Sequence, residues 1–401
     1  SGFAGLANQG ATCYMNSLLQ GLFMTPEFRR AMYNWKHNPE TDDEPQDCIP
    51  WQLQRLFGML QLTGRRAIAT TELTKSFGWT GADAFTQNDV QEMCRVLFDA
   101  IERSLAGTGK ANMINKLFTG TLNDVVKCNK CGNKRVRSDT FMDLSLVIKP
   151  FGATQCMKSV QGALDLFVKP ELLSDSNQVE CPVCDEKTDA VKGLELAEVP
   201  QLLMLQLKRF DFDYERLCRV KLNDYVSFPL YLDLNHYLGV EPPPLPETEA
   251  VEAAAAPAVE PLPEGTEKEA TAGAEAEGPS GDEETGGGQP AAGAGAGAAD
   301  DDGAAEPAFE EPDVEHLVAT RGPNIYELYA VLVHSGGAQG GHYYAYIKDL
   351  GNKEWFNFND SSVTPISLDT VMSAFGGSSV SSYTGATYTS SANAYMLLYR
   401  K

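Results

Sequence analysis

The chain has 401 residues, enough for one large domain or two medium ones, with a formal charge of −23 and 43% apolar residues. Residues 241–315 hold 21 acidic side chains and a single Lys, so −20 of that charge is local and the remainder is close to neutral. No basic stripe rises above this background, which argues against nucleic acid as a partner, and the most apolar segment, around Leu202 to Leu207, is far too short to span a bilayer.

The first 115 residues read as helix-rich. Cys13 sits in the run Asn8 to Ser17, with Thr12 as an expected N-cap and Cys13 to Phe23 as an expected amphipathic helix. A helix N-terminus favours the thiolate, the nucleophilic form of cysteine. Asn8 offers a side-chain amide that could donate to an oxyanion near the same sulfur. Taken alone, such a cysteine reads as a small buried residue at a helix start. Further helices are expected over Pro50–Leu60 and Val90–Glu102, with a start near Thr70–Leu73; Asp89 in isolation reads as a charge at a helix N-terminus.

From about residue 116 the pattern turns to short alternating runs. Strands are expected over Phe118–Val126, Asp139–Ile148, Leu202–Phe212 and Lys221–Phe228, with a helix over Val160–Phe167. Two Cys-x-x-Cys knuckles, Cys128/Cys131 and Cys181/Cys184, lie in this region. Four thiolates in two such pairs point to tetrahedral Zn²⁺ with no open position, hence a structural site. The remaining Cys48, Cys94, Cys156 and Cys218 read as ordinary thiols, and with no signal peptide the chain is expected in the cytoplasm, or also the nucleus.

Residues 239–312 are dominated by Ala, Gly, Pro and Glu, with no aromatic residue from Gly239 until Phe309. Such a segment cannot bury enough apolar surface to offset its chain entropy and is expected to be a disordered acidic insert. Order resumes with a strand over Asn324–His334. His342 then opens an aromatic strand, Tyr343 to Ile347, just after Gly340-Gly341. A further strand, Trp355 to Phe358, ends in Asn359-Asp360. Ser378 to Ser391 reads as a loop before a last strand, Ala394 to Tyr399. Adjacent antiparallel strands would bring His342 beside Asn359 or Asp360. A cysteine nucleophile needs such a base, and the imidazole needs a third group to fix its tautomer.

These boxes resemble those of the ubiquitin-specific protease catalytic domain (peptidase family C19). The resemblance rests on Gly5 to Ser17, Gln87 to Glu92, Leu205 to Phe210, and Gly340 to Tyr343 with Trp355 to Asp360, and covers nearly the whole chain apart from the insert. Ala11 departs from it, since the family usually has Asn there. The resemblance implies an α+β fold, a papain-like cysteine protease core with a helical thumb, antiparallel β palm and fingers, and a zinc ribbon at the fingertips. The thumb would cover about 1–115, and fingers and palm about 116–238 and 313–401. It also implies a thiol-dependent deubiquitinase that cuts the isopeptide bond after the C-terminal Gly of ubiquitin. Cys13 would be nucleophile, His342 base, Asn8 oxyanion donor, and Asn359 the third member, with Asp360 directly after it as the alternative. Asp89, with Gln87, Gly340, Gly341 and Tyr343, would contact the ubiquitin tail, Asp89 pairing with its basic residues. His334 is a second histidine near the cleft. The expected partners are ubiquitin and ubiquitinated proteins, with no membrane, and the expected state is a monomer.

Overall fold

A computed structural model describes residues 2–79, 88–107, 111–240, 312–377, 379–381 and 387–401. Two compact units are distinguished, Ser1–Pro243 with Leu317–Lys401, and Pro244–His316. Of the second only 312–316 are described, so nearly all of the expected insert lies outside the described residues.

The chain begins with β1 (Gly5–Ala7), α1 (Cys13–Met24), α2 (Pro26–Tyr33), α3 (Ile49–Leu62), β2 (Ala67–Ala69), α4 (Thr71–Ser76), α5 (Val90–Leu105) and α6 (Met113–Phe118). There follow β3 (Gly120–Cys128), β4 (Lys134–Phe141), β5 (Leu144–Leu146), α7 (Val160–Val168), β6 (Glu171–Leu173), β7 (Val179–Cys181), β8 (Glu186–Thr188), β9 (Ala190–Glu198), β10 (Leu202–Leu207), β11 (Phe210–Asp213), β12 (Cys218–Lys221) and β13 (Tyr231–Asp233). The last part holds α8 (Val314–Arg321), β14 (Ile325–Gly337), β15 (Gly340–Lys348), β16 (Trp355–Asn359), β17 (Ser362–Ile366), α9 (Leu368–Met372), β18 (Ser379–Ser381), β19 (Thr387–Thr389) and β20 (Asn393–Arg400).

Among the described residues the largest sheet has eight strands, ordered β17-β16-β15-β14-β20-β10-β5, with β13 also on β14. Its pairs are antiparallel except β10 with β5. Alternate side chains enter different cores. Leu202, Met204, Leu332, Met396 and Leu398 pack with α1, α3 and α5, whereas Leu203, Leu205, Val331, Leu397 and Tyr399 pack on the α7 side. A sheet covered on both faces explains why these strands read as unbroken apolar runs. A second sheet, β4-β3-β9-β6, carries the Cys128/Cys131 knuckle between β3 and β4, and the separate β7-β8 pair carries Cys181/Cys184.

Several expectations change. All twelve residues of α1 are buried, so it is a central helix and not an amphipathic one. The run Asp139–Ile148 divides into β4 and β5, and Leu202–Phe212 divides into β10 and β11. The second break falls at Lys208-Arg209. The fully buried Arg209 guanidinium donates to the carbonyls of Ala394 (2.6 Å), Leu222 (2.9 Å), Asp224 (3.0 Å) and Phe375 (3.2 Å), tying β20 to the segments at 222–224 and 375. Burial lowers its pKa to about 10, so its charge survives at neutral pH. Lys221–Phe228 is not a strand; β12 ends at Lys221, and the following residues wrap Arg209 through Leu222 O and Asp224 O. In the expected loop Ser378–Ser391, β18 and β19 form a short antiparallel pair.

Candidate active site

β14 and β15 form a hairpin with Ser335 opposite His342, and β15 pairs onward with β16, which ends at Asn359. α1 packs on this sheet, bringing Cys13 at its first turn to Tyr343, whose backbone N–H donates to the Cys13 sulfur at 3.4 Å. His342 Nε2 lies 2.7 Å from Asn359 Oδ1. An amide oxygen only accepts, so Nε2 carries the proton and Nδ1 is left for Cys13. The His342 pKa rises to about 9, chiefly through its hydrogen bond to the Cys13 side chain. The Asn359 bond and the charges of Cys13 and Asp360 add to this, against the opposing effect of burial. The imidazolium is therefore the favoured form at neutral pH. Thr12 is the N-cap residue, but its side chain makes no cap bond; its hydroxyl instead accepts from Gln9 N at 3.0 Å.

Asp360 stands apart from this pair. Its carboxylate is 3.9 Å from His342 Nε2 but accepts from Asn8 Nδ2 at 2.9 Å and from Asn16 Nδ2 at 2.8 Å. Asn8 Oδ1 accepts from Gly10 N (2.9 Å) and Thr12 N (3.1 Å), so both ends of this amide are held beside the helix start. Asp360 has φ of 47°, in the left-handed region of the turn between β16 and β17, and its carbonyl accepts from Leu6 N at 2.8 Å. Gly5 is obligatory here, since a Cβ would lie 2.3 Å from Asp360 O. Asn16 was not singled out from the sequence. Its signal was an amide in a wholly buried helix, one turn before Gln20, which donates to Ala4 O at 3.0 Å.

Beside Cys13, His342 and Asn359 lies a cleft of about 570 Å³ lined by Asn88, Asp89, Phe210, His334, Gly340 and Tyr343, among others. Asp89 caps α5 through Gln91 N at 2.7 Å and also takes the Tyr395 hydroxyl. Gly340 has open space where a Cβ would point, whereas at Gly341 a Cβ would meet Ser335 O at 2.3 Å and the His334 ring at 2.6 Å. Tyr343 is buried, its ring edge-on to those of His334 (4.6 Å) and Tyr395 (5.8 Å). The His334 ring is also buried, and desolvation, with Lys221 and His342 nearby, lowers its pKa to about 3. Its neutral ring is a wall of the cleft. Gln87 lies outside the described residues.

The Sγ atoms of Cys128, Cys131, Cys181 and Cys184 lie within 4.8 Å of one another, with Cys128–Cys184 at 4.0 Å and Cys131–Cys181 at 3.6 Å. A tetrahedron with Zn–S of about 2.3 Å has edges of about 3.8 Å, so the set has the size of a metal site. Each knuckle closes on a left-handed residue, Gly132 (φ 75°) and Asp185 (φ 53°), whose N–H bonds back to Cys128 O or Cys181 O at 2.9 Å.

The family model described as ubiquitin carboxyl-terminal hydrolase matches residues 4–399. Human ubiquitin carboxyl-terminal hydrolase 47 is 43% identical over 406 residues, covering 100% of this chain and 28% of that protein. The Drosophila melanogaster protein of the same name is 43% identical over 402 residues, covering 100% and 25%. Arabidopsis thaliana ubiquitin C-terminal hydrolase 13 is 36% identical over 365 residues, covering 91% and 25%. The chain thus spans between a quarter and a third of the length of these relatives. Among solved structures, the SAGA Ubp8/Sgf11/Sus1/Sgf73 DUB module bound to ubiquitin aldehyde aligns with a TM-score of 0.66 at 25% identity, covering 100% of this chain and 69% of that one. With the helix-borne cysteine, the strand-borne histidine and the match from residue 4 to 399, this chain belongs to the ubiquitin carboxyl-terminal hydrolase family.

Proposed function

We propose that this chain is a deubiquitinating cysteine protease that hydrolyses the isopeptide bond after the C-terminal Gly of ubiquitin. The observation that carries the reading is the contact set of His342, bonded at once to the Cys13 side chain and to Asn359. His342 takes the Cys13 proton and holds it as imidazolium while the thiolate attacks the glycine carbonyl. Asn8, aligned by Asp360, stabilises the tetrahedral oxyanion with the backbone N–H of Cys13. His342 then returns the proton to the leaving lysine amine, and water, deprotonated by the same ring, clears the thioester. Asn359 is the third member of the triad and Asp360 serves the oxyanion side.

The ubiquitin tail lies in the cleft beside Gly340, with Asp89 facing its basic residues. The four cysteines hold a structural Zn²⁺ that fixes the fingertips and takes no part in the chemistry. The segment acts as a monomer in the reducing cytoplasm. Thumb, palm and fingers correspond to the helical part, the eight-stranded sheet and the β4-β3-β9-β6 sheet.

The test is reaction with ubiquitin carrying a thiol-reactive C-terminal warhead, read by intact mass. Wild type should gain one ubiquitin and Cys13→Ala none. An adduct on both, or on neither, would remove Cys13 from the nucleophile's role. The alternative of a ubiquitin binder without activity is disfavoured by the alignment of His342 between Cys13 and Asn359.

A further inference from the structure

Where α5 meets the sheet, five residues close a ring of hydrogen bonds. Gln91 Nε2 donates to Ser145 Oγ at 2.9 Å, and Ser145 Oγ donates to Gln206 Oε1 at 2.7 Å. Gln206 Nε2 donates to the Tyr395 hydroxyl at 2.6 Å, and that hydroxyl donates to Asp89 Oδ2. Gln91 N donates to Asp89 Oδ1 at 2.7 Å, which completes the circuit. Its members come from α5 and its cap and from three neighbouring strands, β5, β10 and β20, with Ser145 directly opposite Gln206.

The direction of every bond follows from one fact. A carboxylate accepts and does not donate, so Tyr395 must give its proton to Asp89 and take one from Gln206. The same logic sends the Gln206 oxygen to the Ser145 hydroxyl and the Ser145 oxygen to Gln91. Both branches therefore end as donors on Asp89, one on each oxygen. Bonds running in one direction strengthen one another. A carboxylate has about four acceptor sites, so a second site on each oxygen remains. Asp89 itself lines the cleft.

Stability alone does not account for this arrangement. Gln206 and Tyr395 are buried in strands that are otherwise nearly all apolar. Replacing both partners of a buried bond by apolar groups of the same shape is close to neutral. What the ring does supply is a fixed carboxylate plane at the cleft wall.

We propose that Tyr395 and Gln206 are positioning residues that hold Asp89 in the orientation that receives a cationic side chain of the ubiquitin tail. The inference rests on the reading of the cleft given above. Tyr395 and Gln206 do not touch the substrate and act through Asp89.

The experiment uses the chain with ubiquitin bearing a fluorogenic C-terminal amide, and with the same substrate after its tail arginines are replaced by glutamine. Tyr395→Phe and Gln206→Met are compared with wild type on both. On the ordinary substrate the variants should lose about five- to twenty-fold in kcat/KM, carried by KM. On the glutamine-tailed substrate the loss should shrink to about two-fold or less. Equal losses on the two substrates, a loss carried by kcat, or no loss at all would overturn the proposal, and Gln206→Met keeps the test open if Tyr395→Phe fails to fold. A wild-type chain that turns over neither substrate would instead overturn the reading of the cleft, and the inference with it.

Discussion

The Asp360 carboxylate accepts the Asn8 amide at 2.9 Å, while the neighbouring Asn359 takes His342 at 2.7 Å. Adjacent residues thus hold two different side chains, the Asn8 amide and the His342 ring. Asn8→Ala and Asp360→Ala should each lower kcat by about 10–1,000-fold, and the double variant should fall little further, because they act as one unit. Asn359→Ala combined with Asn8→Ala should instead lose close to the product of the single losses. Single-turnover rates of the three single and two double variants check this.

The pH profile carries the mark of His342. Its pKa of about 9 lies above the ordinary 6.5, so the proton needed by the leaving amine is present through neutral pH. The rate should fall as pH rises through about 9. Asn359→Ala removes one of the groups raising that pKa, so the basic limb should move to lower pH. The bond's contribution to folding stability follows the same sign, full below the unfolded pKa and lost as pH rises through the folded one.

His334 has the reverse sign. Its folded pKa of about 3 lies below the ordinary 6.5, so the unfolded chain binds the extra proton and stability is lost as pH falls between those values. His334→Phe should flatten that part of the curve relative to wild type. Urea midpoints at pH 7, 6, 5 and about 4 test it, and parallel curves for the two proteins would remove His334 as the cause.

Glycine substitutions should separate folding from access. Gly5→Ala meets Asp360 O and Gly341→Ala meets Ser335 O, each at 2.3 Å, so both should lose about 1–3 kcal/mol and lower Tm. Gly340→Ala meets open space in the fold and should keep its Tm. Its loss should appear in KM, as crowding of the tail.

Metal content is a direct check on the four cysteines. The purified chain should carry one zinc per molecule, within about 20% by elemental analysis. A strong chelator, or Cys181→Ser, should lower Tm while leaving the Cys13 warhead reaction of the surviving folded fraction intact. Loss of that reaction in folded protein would give the ion a role beyond the fingertips.

The chemistry-bearing boxes were legible because each combines residue types that have little other use together, as in Cys13 after Asn8 or His342 after two glycines. The helix α1 was misread as amphipathic because a sequence shows the apolar residues but not that sheet and helices enclose all its sides. The strand break at Lys208-Arg209 was invisible for a related reason. It depends on four carbonyls, from β20, from the residues after β12 and from Phe375, converging on one guanidinium. Asn16, Gln206 and Tyr395 were missed because Asp360, Tyr395 and Asp89, to which they respectively donate, lie 344, 189 and 306 residues away, beyond any local pattern.

The position of β20 has a consequence for biosynthesis. This strand lies between β14 and β10 in the middle of the large sheet, yet it is the last strand described. A nascent chain emerging from the ribosome carries Cys13 early and Asn359 late, and its sheet stays split until residues 393–400 arrive to join the two halves. The sheet on which His342 and Asn359 stand is therefore completed only when residues 393–400 have been made. Contacts of such long sequence separation make for slow folding, and β20 with its partners β14 and β10 is where that separation is built into the sheet.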